Sequence, residues 1–279
     1  MIEKMKMVCV VSSVSRKDEM LDGLRSLGLL HLAEKKSPDR AVAERFTTLS
    51  KTAATLTDYA PDKKNKKKEP VPVLSDSEFE EMYQNVLATL DKKASLEQEI
   101  SAANAEIERI KAWGNFSPED VKRVKEDGYD LHFYRLGKNE YQMALQDPEI
   151  KMIALTPIDK MHTVAVLGAL PVTIPATEFT LPEKGIDELT AQIESCQTEI
   201  GTCEETLKKS SIYDTSFQVQ MLKAQNAENY SSASETAEND EDFVWISGYL
   251  PEADLPKFKA AATEHKWAWA MDDVSEDDT

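Results

Sequence analysis

Residues 243–258 read FVWISGYLPEADLPKF. Apolar and aromatic residues crowd the first positions as in a buried strand, and Pro251 then opens a helix. Gly248 is read as easing the strand exit. KWAWAM, residues 266–271, follows as a further strand, which would place Trp267 and Trp269 on one face. A β-α-β unit therefore closes the chain. The question is what it packs against, because a unit this small cannot bury a core alone.

Its counterpart lies at the other end. KMVCVV, residues 6–11, is a short β-branched run that reads as a strand. Ser12, Ser13 and Ser15 are turn and cap residues. Met20, Leu21, Leu24 and Leu27 recur at helical spacing, and Gly28 supplies the stop. LLHLAE, residues 29–34, reads as the second strand. Two β-α-β units from opposite ends make a ferredoxin-like arrangement, provided the intervening chain leaves and returns.

Heptads supply that route. Val42, Phe46, Leu49, Ala53 and Leu56 form one seam, in a helix read as capped by Ser37 with Pro38 in its first turn. Ser75 and Glu78 make a capping box ahead of Phe79, Tyr83, Val86 and Leu90. Leu96, Ile100, Ala103, Ile107 and Ile110 continue out of phase, which predicts a local change in winding. The cleanest periodicity is Ile186, Leu189, Ile193, Cys196, Ile200, Cys203 and Leu207. That helix is read as continuing past Phe217 and Leu222. A return helix of about 50 residues would span roughly 75 Å, less than the summed length of the two outward helices, so the helices should lie side by side.

The expected fold class is α+β: two small α/β lobes, the proximal one ferredoxin-like and built from both chain ends, joined by a long antiparallel coiled-coil helical bundle. The expected divisions are residues 1–36 and 241–273 for the two halves of the proximal lobe. Residues 37–115 carry the outward helices with a Lys-rich loop at 61–73. Residues 116–182 form a distal α+β lobe, 183–240 the return helix, and 274–279 an acidic tail read as disordered.

The 279 residues carry a net charge of −18, which disfavours nucleic-acid binding. The one compact basic run, Lys63–Lys68, reads as a solvated loop, with docking to an acidic partner or lipid head groups as its functional alternative. Cys9, Cys196 and Cys203 show no disulfide framework and suggest a reducing compartment. Cys196 and Cys203 lie about 10.5 Å apart along one helix, too far to bridge. No run of apolar residues is long enough to span a bilayer.

No catalytic constellation is visible. Gly-Lys-Ser and Gly-Lys-Thr are absent, so no phosphate loop is expected. His31, His132, His162 and His265 are scattered without metal-ligand spacing. Glu80-Glu81 and Glu204-Glu205 are adjacent on helices and do not converge. No cofactor or metal is expected. The candidate structural seam is Ile186, Leu189, Ile193, Cys196, Ile200, Cys203 and Leu207, together with Ile100 and Ile107. Trp245, Trp267 and Trp269 are candidate partner-binding residues, with sheet core as their plainer reading.

The opening MIEKMKMVCVVSSVSRKDEMLDGLRSLGLLHL, the closing VWISGYLPEADLPKF and the lobe-coil-lobe-coil order resemble one family. It is the N-terminal cytoplasmic half of subunit I (subunit a) of V-type and archaeal-type rotary ATPases. The resemblance covers essentially the whole chain. It implies a non-catalytic stator that links peripheral stalks to the membrane sector and resists rotor torque. It implies a peripheral-stalk heterodimer as partner, attached once per lobe, and contact with other ATPase subunits and the rotor ring through a membrane half beyond Thr279. The chain accordingly reads as truncated before that half, monomeric and soluble, at the cytoplasmic face of the membrane. Two other readings stand beside it. A ferredoxin-like small-molecule-sensing module would need a glycine-lined cleft, and glycine numbers only 9. A coiled-coil tether or chromosome-organising protein would need an ATPase head or a basic patch.

Overall fold

The computed structural model describes residues 4–60, 71–155, 157 and 160–273. The Lys63–Lys68 run and the acidic tail lie outside the described residues. The chain is mixed helix and sheet, with a long helix and small antiparallel sheets. It divides into two units: Met1–Phe79 with Ser211–Thr279, and Glu80–Ser210.

The first unit is built around one sheet. Its strands are β1 (Met5–Ser13), β2 (His31–Leu32), β6 (Glu238–Asn239), β7 (Phe243–Pro251) and β8 (Ala268–Asp273). The order is β2-β7-β1-β8, with β6 added to β7 and every pairing antiparallel. β1 and β7 are the central strands, and Val10 lies opposite Ile246 in their register. Alternation decides the faces: Val8, Val10, Val244, Ile246 and Leu250 are buried, while Cys9, Val11, Trp245 and Tyr249 between them are half-buried.

Two helices cover the buried face: α1 (Lys17–Leu27) gives Met20, Leu21 and Leu24, and α8 (Leu255–His265) gives Phe258 and Ala262. Gly28 ends α1 in the left-handed conformation, φ 64°, its N–H donating to Leu24 O. β2 is only two residues long, shorter than the strand read over 29–34. Gly248 is not at the strand exit but inside β7, opposite Leu32.

Two more helices pack together in this unit, α2 (Arg40–Thr57) and α7 (Asp214–Thr236). α2 begins two residues later than Ser37-Pro38 suggests. Asp39 is the cap, its carboxylate accepting from the Ala41 and Val42 amides, and its own N–H donates to Ser231 Oγ on α7 at 2.8 Å. The return helix is also not continuous: Ser211–Tyr213 form a tight 3-10 turn between α6 (Ile186–Ser210) and α7. Phe217 and Ala224 are buried and Met221 half-buried, whereas Leu222 falls one residue off the stripe and is 60% exposed.

The 35-residue helix α3 (Asp76–Ile110) begins on the predicted capping box. The Ser75 amide donates to Glu78 Oε2 at 2.9 Å, and the Glu78 amide donates to Ser75 Oγ at 3.4 Å. In the first unit its opening turn meets α7: Phe79 against Phe217, and Asp76 with Lys223 and Gln220.

The second unit contains a three-stranded antiparallel sheet, β3-β5-β4, from β3 (Leu131–Leu136), β4 (Lys151–Ala154) and β5 (His162–Leu167). One face, carrying Tyr134, Leu136, Val164 and Val166, packs against α5 (Lys138–Gln146) through Ala144 and Tyr141, and against Ile174. On the other face, Phe133 packs against Trp113, just beyond the end of α3. α4 (Pro118–Glu126) precedes the sheet. Beside it, α3 and α6 run antiparallel. Leu96 and Ile100 meet Cys196, Ile200 and Cys203, and Ala103, Ile107 and Ile110 meet Ile186, Leu189 and Ile193.

The phase break in α3 has a physical occupant. Lys93 sits between Leu90 and Leu96 with its side chain 18% exposed, and its ammonium pairs with Glu204 of α6 at 2.9 Å. A lysine stem can cover apolar surface while its charge stays at the edge, so the seam tolerates the slip. Lys92 pairs with Glu199 beside it, at 2.7 Å. Among the described residues, no helix is long and apolar enough to cross a membrane.

Candidate interaction surfaces

The three candidate tryptophans, Trp245, Trp267 and Trp269, do not form one surface. Trp245, on β7, stands on the same sheet face as Val11, and its indole N–H donates to Glu238 Oε2 at 3.0 Å. Trp269, on β8, lies opposite Val10 and therefore on the helix-covered face. It is 37% exposed, edge-on to Phe258 at 5.9 Å, with the Lys259 ammonium 5.4 Å from its ring.

Trp267 corrects the expectation that it shares a strand face with Trp269. It precedes β8 and is 6% exposed, within the core cluster. α8 ends at Lys266, which is left-handed with φ 57°, and the Trp267 amide donates back to Ala262 O at 2.9 Å. This six-to-one bond is the Schellman closure, and it folds Trp267 back toward the helix. The indole then lies over Gly23 of α1 and stacks on His265, ring centroids 4.8 Å apart. Trp267 is a core anchor and offers no face to a partner.

β8 pairs with β1 on one side and ends the strand order, so its outer edge has no strand partner among the described residues. All its residues are exposed, including Met271 and the acidic Asp272 and Asp273. Unpaired N–H and C=O groups along such an edge are a docking feature.

The expected seam residues lie on α6 and α3. Leu189, Cys196, Cys203 and Leu207 are buried; Ile186, Ile193 and Ile107 are half-buried around Leu189, and Ile200 and Ile100 around Cys196 and Cys203. Burial is the first cause raising the Cys196 thiol above its ordinary value, with Glu99 and Glu199 nearby acting in the same direction. That disfavours the reactive thiolate.

One polar constellation escapes sequence reading. His132 on β3 has Asp130 Oδ2 3.0 Å from Nε2 and Glu178 Oε1 2.8 Å from Nδ1. Asp130, then Glu178, holds the imidazole pKa above its ordinary value. The Asp-x-His spacing was legible in YDLHF; the partnership with Glu178 was not. The two carboxylates meet opposite ring nitrogens, so they do not converge on one ion, and no metal-holding group of His, Cys, Asp and Glu occurs among the described residues. A shallow cavity of about 430 Å³ is lined by Lys17, Lys36, Glu235, Glu238 and Trp245, a mixed-charge surface without a dominant ligand chemistry.

The fold and these surfaces define a mixed helix-and-sheet protein with a sheet closed by both chain ends and a paired-helix seam. Its whole length is similar to subunit I of V-type ATP synthases, in agreement with the resemblance carried by the terminal stretches. V-type ATP synthase subunit I 1 of Treponema pallidum (strain Nichols) is 25% identical over 298 residues, an alignment covering 100% of this chain and 47% of that protein. V-type ATP synthase subunit I of Borreliella burgdorferi is 21% identical over 302 residues, covering 100% and 45% respectively. The chain thus spans about half the length of the curated relatives it matches. A solved structure, the cytoplasmic N-terminal domain of subunit I, homolog of subunit a, of V-ATPase, matches with TM-score 0.40 and 13% identity, covering 96% of this chain and 100% of that one. No family model matches the sequence.

Proposed function

We propose that this chain is a non-catalytic stator element of a rotary ion-translocating ATPase, acting at the cytoplasmic face of the membrane. The observation that carries the reading is the alignment of the entire chain with two V-type ATP synthase subunit I proteins. The antiparallel order β2-β7-β1-β8 supports a ferredoxin-like proximal lobe assembled from residues 1–36 and 241–273. The three-stranded sheet supports a distal lobe at 116–182, with helical segments at 37–115 and 183–240.

The proposed mechanism is mechanical. Two helices zipped along a seam resist bending better than one. The Ile100 and Ile107 layers against Ile193 and Ile200, flanked by Lys92–Glu199 and Lys93–Glu204, support such a strut. The proposed partner is a peripheral-stalk heterodimer, one attachment per lobe, alongside other ATPase subunits. Trp269 on the β8 edge and Trp245 are the proposed contact residues of the proximal lobe.

The test mixes this chain with its cognate stalk dimer at low salt, followed by calorimetry. Saturable binding that weakens about tenfold or more in Trp269→Ala is expected for an interface aromatic. No binding by a chain with both sheets folded would refute the reading.

A further inference from the structure

β3 is an edge strand, and a strap of residues 176–181 crosses its outer side. The strap makes a single bridge, Tyr134 with Glu178, and the Phe179 amide donates to Phe133 O at 2.6 Å. Phe179 then leans on Trp113, ring centroids 4.9 Å apart, under the Arg109 guanidinium at 4.4 Å. Arg109 also donates to Thr180 O at 3.0 Å. The strap therefore ties the sheet to the end of α3 within the second unit. Its backbone attachment to β3 is sparse, so side chains must hold it.

His132 is placed to do this. Nδ1 faces Glu178 of the strap at 2.8 Å, and Nε2 faces Asp130 at 3.0 Å. A carboxylate only accepts hydrogen bonds, and a neutral imidazole has one N–H to donate. Only the imidazolium can donate to both. When it loses a proton, one carboxylate must face a ring lone pair.

Asp130 and Glu178 are the charged groups that act on the imidazole among the described residues. Tyr134 on β3 is stacked beside His132 at 6.5 Å, and the residue opposite it on β5 is the apolar Val166. Arg135 belongs to the other face of the strand. The side chain is 21% exposed, open enough to exchange protons with water and sheltered enough for the pairing to matter.

We propose that His132 is a proton-operated latch: as imidazolium it donates to both Asp130 and Glu178 and pins the strap to the edge of β3, and on deprotonation, when one N–H must serve two carboxylates, the pin loosens. The inference does not rest on the stator reading. It predicts a unit whose strap is tight in mildly acidic conditions and looser in mildly alkaline ones.

The test follows the imidazole signal and the Phe179 amide by NMR from about pH 5.5 to 8.5, the range around the ordinary histidine value. Exchange of the Phe179 amide is corrected for its intrinsic pH dependence. Its protection should fall at least fivefold as His132 deprotonates. His132→Gln, which can still donate one bond, should flatten that dependence. Glu178→Gln should lower the pH at which the imidazole titrates. Corrected protection that is flat across the imidazole titration, or equally pH-dependent in His132→Gln, would overturn the proposal. Both variants are read only after circular dichroism shows the sheet intact; if both unfold, titration of the wild-type imidazole against Phe179 protection still decides.

Discussion

Gly248 lies so close to the chain of β2 that a β-carbon on it would stand 2.5 Å from the carbonyl oxygen of His31 and 2.9 Å from the Leu30 side chain. The His31 oxygen belongs to the backbone, which cannot swing aside as a side-chain tip can. Gly248→Ala should therefore force β2 away from β7 and cost about 1–3 kcal/mol, the range for overpacking. Urea denaturation checks the figure, and an unchanged midpoint would mean that β2 is free to move.

Phe79 and Phe217 meet edge to face, ring centroids 5.0 Å apart, and each is 1% exposed. Phe217→Ala is expected to cost about 3–5 kcal/mol. A double-mutant cycle with Phe79→Ala should show a coupling of about 0.5–1.5 kcal/mol beyond area burial. Additive losses would mean the rings are merely neighbours.

Leu207 and Leu222 separate seam from surface. Leu207 is 0% exposed and Leu222 60%. Leu207→Ala should destabilise by about 2–5 kcal/mol, whereas Leu222→Ala should change stability by about 0.5 kcal/mol or less. Equal effects would contradict the burial of Leu207 and the exposure of Leu222.

The Tyr230 hydroxyl donates to Asp18 at 3.0 Å. Burial, then this bond and the charges of Asp18 and Asp22, push its pKa from 10.0 to about 12. The raised value favours the protonated phenol in the folded state. The stabilisation is complete below the ordinary value of 10.0 and lost as pH rises through about 12. Absorbance titration of the wild type against Tyr230→Phe should assign the latest tyrosinate step to this residue; a difference step at the ordinary value would contradict the contact.

Much of this was legible locally. The capping box of Ser75 and Glu78 appears at the start of α3, and Gly28 ends α1 in the left-handed region. The three-four spacing on α6 reappears as alternating buried and half-buried positions. The start of α2 was read two residues early, because Ser37-Pro38 has the form of a helix opening while Asp39 makes the cap. Asp39 also bonds Ser231, a partner in a distant stretch. Trp267 was misread because KWAWAM alternates as a strand does, while its fate is set by the left-handed turn at Lys266 and the space over Gly23.

The local periodicities are readable in single stretches of the chain: a β-α-β pattern at each end, apolar stripes at heptad spacing and the residues that start or stop helices. These depend on neighbours within a turn or two of chain, so they are written where they act. The pairing of β1 with both β7 and β8, the placing of Lys93 in the slipped seam opposite Glu204, and the reach of His132 to Glu178 arise in the folded chain. Such contacts join residues far apart in sequence. They form only where burial of the shared core repays the loss of chain freedom, a balance no single stretch contains.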